Sequence, residues 1–231
     1  MMLGARTAAW SKSGYTAKDY VQDGLIAMVD GIENAGWGQH SNTSPVDLIN
    51  GVKLTAIGSP VITDTTFDTP KGAYYYADIT NFRDAVAAKR FTFESVMSCC
   101  KANNNGIFSI GNRGIWIYGN ANYNVSMVNV LATNYTQGIN PKYLDDGVFR
   151  ISVVGDNTAP KVIIGTTEYD GYYGTLTSIS ETRCFIGGMF GSVSFSPELK
   201  SFRNIRLYSR ALTTDEIAAN YAIDKARFNL P

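Results

Sequence analysis

Turn chemistry recurs along this chain about every ten residues, and short apolar or alternating runs fill the spaces between. Asn103-Asn104-Asn105-Gly106, Asn112-Arg113-Gly114, Asp145-Asp146-Gly147 and Gly155-Asp156-Asn157 all combine residues that tolerate or favour tight turns. The runs between the turns predict strands near 24–30, 52–57, 73–79, 91–99, 106–111, 114–118, 125–131, 147–154, 161–165, 183–187 and 202–209. Only residues 213–227 carry a helical pattern. Many short strands with regular turn signals indicate a sandwich or a barrel.

The end of the chain is the most informative stretch. In FRNIRLYSRALTTDEIAANY (Phe202–Tyr221), Ile205 and Leu207 alternate with Arg206 and Tyr208 before the chain enters a helix. Thr213 fits the N-cap and Glu216 stands three residues on, the spacing of a capping box. Ile217, Ala218 and Tyr221 are expected to form its apolar stripe.

Composition narrows the partners. Lys plus Arg and Asp plus Glu number 20 each in 231 residues, so no basic face is implied and neither nucleic acid nor an anionic membrane is expected as a partner. No segment approaches a membrane span, so no membrane insertion is expected. The three cysteines include adjacent Cys99 and Cys100, whose side chains would point to opposite faces of a strand; all three are expected as reduced thiols. The N-terminus has no apolar signal-peptide region, so synthesis and folding in a reducing cytoplasm are expected. Residues 1–22, with Trp10, Tyr15 and Tyr20 among small polar residues, read as an N-terminal arm that docks on its own domain or on a neighbouring subunit, ahead of one domain over 23–231.

The C-terminal run resembles the closing strand and helix of laminin-G-like domains of the concanavalin A-like lectin/glucanase superfamily. RFTFESVMSC (90–99) is similar to the first long inner strand of those domains, and NNGIFSIGNRGIWIYG (104–119) to the following hairpin. DDGVFRISVVGDNTAPKVIIG (145–165) is similar to a strand pair with a short turn, and RCFIGG (183–188) to the small strand before the final segment. The resemblance covers roughly Gly24 to Tyr221. It implies an all-β fold: a two-sheet antiparallel jelly-roll sandwich, concanavalin A-like, with a short C-terminal helix and an N-terminal arm. Ligands would then sit on the curved sheet and its rim loops. GLIAMVDGIENAGWGQH (24–40) and IDKARFNLP (223–231) resemble domains of bacteriophage structural proteins and gut bacterial surface proteins.

The residues needed for hydrolysis do not line up. A glycosidase needs two carboxyl groups across the scissile bond, and the glucanase branch supplies them in a Glu-x-Asp-x-x-Glu strand that this chain lacks. Asp30 and Glu33 are expected to hold turn backbone or meet solvent, and Glu94 to lie on the solvent side of its strand. His40 is the single histidine and reads as a loop hydrogen-bonder. No P-loop, dinucleotide fingerprint or nucleophile elbow occurs. No cofactor is expected. Calcium is the one metal the resemblance implies, and Asp30, Asn34, Asp156 and Asn157 have the right chemistry without a fixed ligand spacing.

Aromatic residues mixed with amides and carboxylates are the pattern of a glycan surface, because flat C–H faces of sugars stack on rings while hydroxyls need hydrogen bonds. With Ile115 and Ile117 facing the core, Trp116 and Tyr118 are expected on the opposite, accessible face, followed by Tyr123. Tyr169, Asp170, Tyr172 and Tyr173 form a second candidate cluster, and Trp37 marks a third. The same aromatics would also serve cross-strand packing or a protein interface. The reading is a non-enzymatic structural and attachment module, most readily a phage virion or tail component in an oligomer or complex, contacting other subunits and cell-surface glycan. A free carbohydrate-binding lectin is the alternative, and a glycoside hydrolase is disfavoured.

Overall fold

A computed structural model describes residues 14–36, 44–99, 105–111, 114–120, 125–131, 147–171, 173–175, 178–189, 191–192, 194 and 198–230. Its strands are β1 (Leu25–Asp30), β2 (Thr55–Ile57), β3 (Val61–Ile62), β4 (Phe67–Thr69), β5 (Tyr74–Asp78), β6 (Arg90–Cys99) and β7 (Asn105–Ile110) in the first half. β8 (Ile115–Asn120), β9 (Val125–Val130), β10 (Phe149–Asp156), β11 (Lys161–Ile164), β12 (Thr167–Asp170), β13 (Arg183–Ile186) and β14 (Lys200–Tyr208) follow. The helices are α1 (Gly31–Gly36), α2 (Thr80–Ala87) and α3 (Thr214–Phe228), with a 3-10 turn at Ala17–Asp19.

Two antiparallel sheets face each other. The larger runs β12-β11-β10-β6-β14-β4-β3, with β1 also paired to β14; the smaller runs β2-β5-β13-β7-β8-β9. Alternation along each strand decides which residues meet between the sheets. Phe91, Phe93 and Met97 of β6 and Ile151 and Val153 of β10 face Tyr75 of β5, Phe108 and Ile110 of β7, and Ile115 and Ile117 of β8, in one continuous core. The expected all-β two-sheet sandwich is therefore the observed fold.

Three strands and two helices escaped the sequence pattern: β3, β4, β12, α1 and α2. The strands are two to four residues long, too short to show alternation. Helix α2 has no side-chain cap at Ile79. It forms because Phe82, Ala85 and Val86 share one face and plug the space between the sheets, where Phe82 meets Phe91 edge-on at 6.0 Å and Phe108 at 6.3 Å.

Helix α3 makes a third layer on the outer face of the large sheet. Its capping box is present, with Thr213 Oγ1 accepting from the Glu216 backbone N–H and Glu216 accepting from Thr213 N–H. The buried face is Ile217, Asn220, Ile223, Asp224 and Phe228. This corrects the expected stripe: Ala218 is exposed and Tyr221 half-buried. The stripe is mixed in polarity because the sheet surface beneath it is itself polar. Among the described residues no helix is long and apolar enough to cross a membrane.

Candidate functional site

The surface under α3 holds the densest set of ionisable groups among the described residues. Parity along the strands turns Glu94 of β6, Arg150 and Ser152 of β10, and Asn204, Arg206 and Tyr208 of β14 away from the inter-sheet core, and all are buried. Arg206 reaches Asp224 of α3 with two parallel bonds, Nη1 to Oδ1 at 2.8 Å and Nη2 to Oδ2 at 2.7 Å, while its Nε donates to Glu94 Oε2 at 3.1 Å. Arg150 mirrors it, with Nε to Asp224 Oδ2 at 3.1 Å and Nη2 to Glu94 Oε1. Two carboxylates and two guanidinium groups thus close a neutral square.

Neutral groups add to the hydrogen bonding. Asn220 Nδ2 donates to Glu94 Oε2 at 2.7 Å and Ser152 Oγ to Glu94 Oε1 at 3.1 Å. Tyr20 Oη donates to Asp224 Oδ1 at 2.8 Å, and the Arg206 guanidinium stands 4.0 Å above the Tyr20 ring. The Val21 backbone N–H donates to Asn220 Oδ1 at 2.9 Å, so residues just before β1 dock on the domain itself. A second pair, Arg227 with Asp30, extends the network at 2.8 Å.

Burial shapes the proton affinities here. It pushes Asp224 up, but Arg206 and Arg150 more than reverse that and hold the carboxyl below its ordinary value. At Asp30 burial wins over Arg227 and the carboxyl is raised. Burial, then the Asp224 charge, raises the Tyr20 phenol, and burial pushes Tyr208 up to about 12. Every carboxylate in the square is held by arginines and shut off from solvent, so neither a substrate nor an attacking water reaches it. The cluster is a buried ionic joint between the sheet, α3 and the segment around Tyr20.

Several sequence expectations change here. Glu94 is not on a solvent side, because α3 covers that face of β6. Asp30 does hold turn backbone, accepting from Glu33 N–H at 3.1 Å, but it is fully buried with Arg227 rather than solvated. The calcium candidates split. Asn34 is tied to Asp30 O and to both backbone groups of Val46. Asp156 binds the Thr158 and Ala159 backbone N–H groups, and Asn157 Oδ1 accepts from Arg90. Through the registers of β14, β6 and β10, Asp30 aligns with Arg150 and Asp156 lies six positions further along, about 20 Å away. These four residues are not brought together.

The outer face of the small sheet carries the aromatic surface. Register places Thr55, Tyr76, Phe185, Ser109 and Trp116 in one row across β2, β5, β13, β7 and β8, on the side opposite Tyr75, Cys184 and Ile186. Trp116 is on the expected face, yet fully buried, which corrects its assignment as accessible. Phe185 is also buried, packed 6.1 Å from both Tyr74 and Tyr76. The row opens only at its other end. Tyr76 is half-buried, Asp78 exposed, and Arg183 projects over the rings of Tyr76 at 5.6 Å and Phe185 at 5.3 Å. Thr182 Oγ1 donates to Asp78 Oδ1 at 2.6 Å, and Glu181 pairs with Arg183. A partly open ring flanked by a guanidinium, a carboxylate and a hydroxyl offers both a stacking face and directional hydrogen bonds.

The remaining candidates are dispersed. Tyr169 pairs with Val162 and packs on the core, whereas Asp170, one residue on, faces outward opposite Lys161, so the expected cluster is divided by its own strand. Tyr173 also packs on the core, with its hydroxyl on Lys89 O at 3.3 Å and the Lys89 ammonium 4.6 Å from its ring. Trp37, His40, Tyr123 and Tyr172, together with the Tyr118 side chain, lie outside the described residues. Sequence reasoning passed over Tyr76, Asp78 and Arg183. The signal was present in the Tyr74-Tyr75-Tyr76 run and in the alternation of Arg183 and Phe185 against Cys184 and Ile186.

No protein-family model matches the chain, and no curated protein matches it. Solved structures do. The chain is similar to Trypanosoma rangeli sialidase in complex with sialic acid, at 13% identity and a TM-score of 0.63, over 87% of this chain and 33% of that one. It is similar to the binding domain of botulinum neurotoxin DC in complex with SialylT, at 13% identity and a TM-score of 0.64, over 87% and 51% of the two chains. It is also similar to botulinum neurotoxin type C, from work on cell entry dependent on two ganglioside molecules, at 13% identity and a TM-score of 0.63, over 86% and 51%. The chain thus spans a third of the sialidase and about half of each toxin structure. At such identities the likeness is one of fold: a β-sandwich shared with glycan-binding proteins.

Proposed function

We propose that this chain is a non-enzymatic recognition module, a laminin-G-like member of the concanavalin A-like superfamily, that binds glycan at the open corner of its small sheet. The observation that carries the reading is the grouping of Tyr76, Asp78 and Arg183 at that corner, accessible and preoriented by Thr182, Glu181 and Phe185. Sugars need this mixture of aromatic face and charged hydrogen-bonding groups. The sialic acid, SialylT and ganglioside named for the structural neighbours support a glycan as ligand class. The non-enzymatic part is supported by the sealed state of Glu94 and Asp224, which leaves that carboxylate pair no route to a scissile bond.

The finer placement, in a phage virion or tail where the module also contacts other subunits, rests on the resemblance of residues 24–40 and 223–231 to phage structural domains. A glycan array probed with the wild type and with Tyr76→Ala tests the binding role. Binding at millimolar affinity or tighter that disappears in Tyr76→Ala supports it; a blank array or an indifferent variant sinks it. Release of reducing sugar from any polysaccharide by the wild type would overturn the non-enzymatic part. Oligomeric state with and without residues 1–13, a truncation that keeps Tyr20, tests assembly. A multimer that dissociates supports the virion reading, and a monomer in both forms favours a free lectin.

A further inference from the structure

A cavity of about 290 Å³ lies between the two sheets, where the β1 edge of the large sheet faces the end of β5. Its walls are Leu54, Phe108, Cys184, Ile186, Ile205 and Leu207, drawn from both sheets and from the segment before β2. The space is nearly twice that of an engineered apolar cavity of about 150 Å³ that stays dry and takes benzene. It also sits at the small end of natural ligand pockets. Its size suits a compact apolar body and excludes a helix or a strand.

The rim sets the chemistry of the other end of a guest. Asn50, Val52, Asp78, Thr80 and Asn81 are exposed around the opening. Among the described lining residues the charged ones are Asp47 and Asp78, both acidic, with no lysine or arginine. Asp47 is occupied, accepting from Met28, Ile49 and Asn50 backbone N–H groups and thereby fixing the 47–50 turn against β1. Helix α2 starts at the rim with Thr80 and Asn81, and its first turn has no side-chain cap from Ile79. An anion would ordinarily be welcome there, but Asp78 already places a negative charge beside that helix end. An uncharged oxygen that both donates and accepts fits better than a carboxylate.

We infer that the inter-sheet cavity is a binding site for a small uncharged amphiphile, an apolar body with a hydroxyl head at the Thr80–Asn81 rim. The cavity shares Asp78 with the Tyr76 corner, but neither Tyr76 nor Arg183 lines it, so Tyr76→Ala tests the corner without touching the cavity. Cys184 in its wall takes no chemical part, because burial raises its thiol well above the ordinary value.

The test compares octan-1-ol with octanoate at pH 7, two probes with the same chain and different heads, by thermal shift and calorimetric titration of the full chain. Octan-1-ol should raise Tm saturably, and octanoate should bind roughly tenfold more weakly, the effect of a modest like-charge penalty. Ala77→Ile, which directs extra carbons into the cavity from β5, should abolish the octan-1-ol response without lowering Tm, since the space is already there. Asp78→Asn, at an exposed position, should narrow the gap between the two heads. The inference is overturned if octan-1-ol leaves Tm unmoved, if octanoate binds as well as the alcohol, if the response survives Ala77→Ile, or if Ala77→Ile lowers Tm.

Discussion

Arg206 and Asp224 meet through two parallel hydrogen bonds of 2.8 and 2.7 Å, with neither side chain exposed to solvent. That contact joins the closing strand of the large sheet to the helix that follows it. Breaking a buried pair from one side leaves an uncompensated charge, which costs far more than the pair contributes. Asp224→Ala should therefore destabilise the fold by about 3–5 kcal/mol in urea unfolding. Replacing both partners, Arg206→Met with Asp224→Leu, should cost less than the single change, because the Glu94–Arg150 pair remains intact. A double variant as unstable as the single one would contradict this.

The hydroxyl of Tyr20 ties the segment before β1 into the same network. It donates to Asp224 and lies 3.3 Å from both Asn204 Nδ2 and Arg227 Nη1. Tyr20→Phe should cost about 1–3 kcal/mol by leaving buried polar atoms short of a partner. Its far-ultraviolet circular dichroism should otherwise match the wild type. A loss below the error of the urea midpoint would show that the hydroxyl contributes nothing.

Acid should loosen the cap of α3. Arg210 and the Thr213 backbone lower the Glu216 carboxyl to about 2, from an ordinary value of 4.5. A carboxyl depressed on folding contributes stability that is complete above its unfolded value and is lost as pH falls through the folded one. Stability should thus drop between pH 4.5 and about 2. Glu216→Gln should be less stable at pH 6 and lose less over that window. Parallel pH profiles for the two proteins would contradict this assignment.

Gly187 links β13 to the loop beyond it with φ of +78°, a region that side chains rarely occupy. A methyl group there would overlap the Thr69 side chain of the opposite sheet. Gly187→Ala should cost about 1–3 kcal/mol from backbone strain alone, read as a lowered urea midpoint. An unchanged midpoint would mean that the turn relaxes freely.

The sandwich was legible in the chain because inward residues such as Phe91, Phe93 and Met97 alternate cleanly and turn residues bracket each long strand. What covers the outward residues was not legible. Thr92, Glu94 and Val96 read as a solvent face, and the docking of α3 and the residues flanking it buries them, a tertiary event between residues more than a hundred positions apart. The same blind spot affected Trp116, whose face was read correctly and whose burial was not. The Tyr76 corner was missed for another reason. It is assembled from β5 and β13, strands distant in sequence, and only their register brings Asp78 opposite Arg183.

The most direct test of recognition on the small sheet and scaffolding on the large one is chemical-shift mapping by NMR with a glycan selected on the array. Shifts should concentrate at Tyr76, Asp78 and Arg183 and spare Lys161–Ile164 and Thr167–Asp170 at the edge of the large sheet. Shifts confined to that edge, with Tyr76 and Arg183 unmoved, would contradict the account.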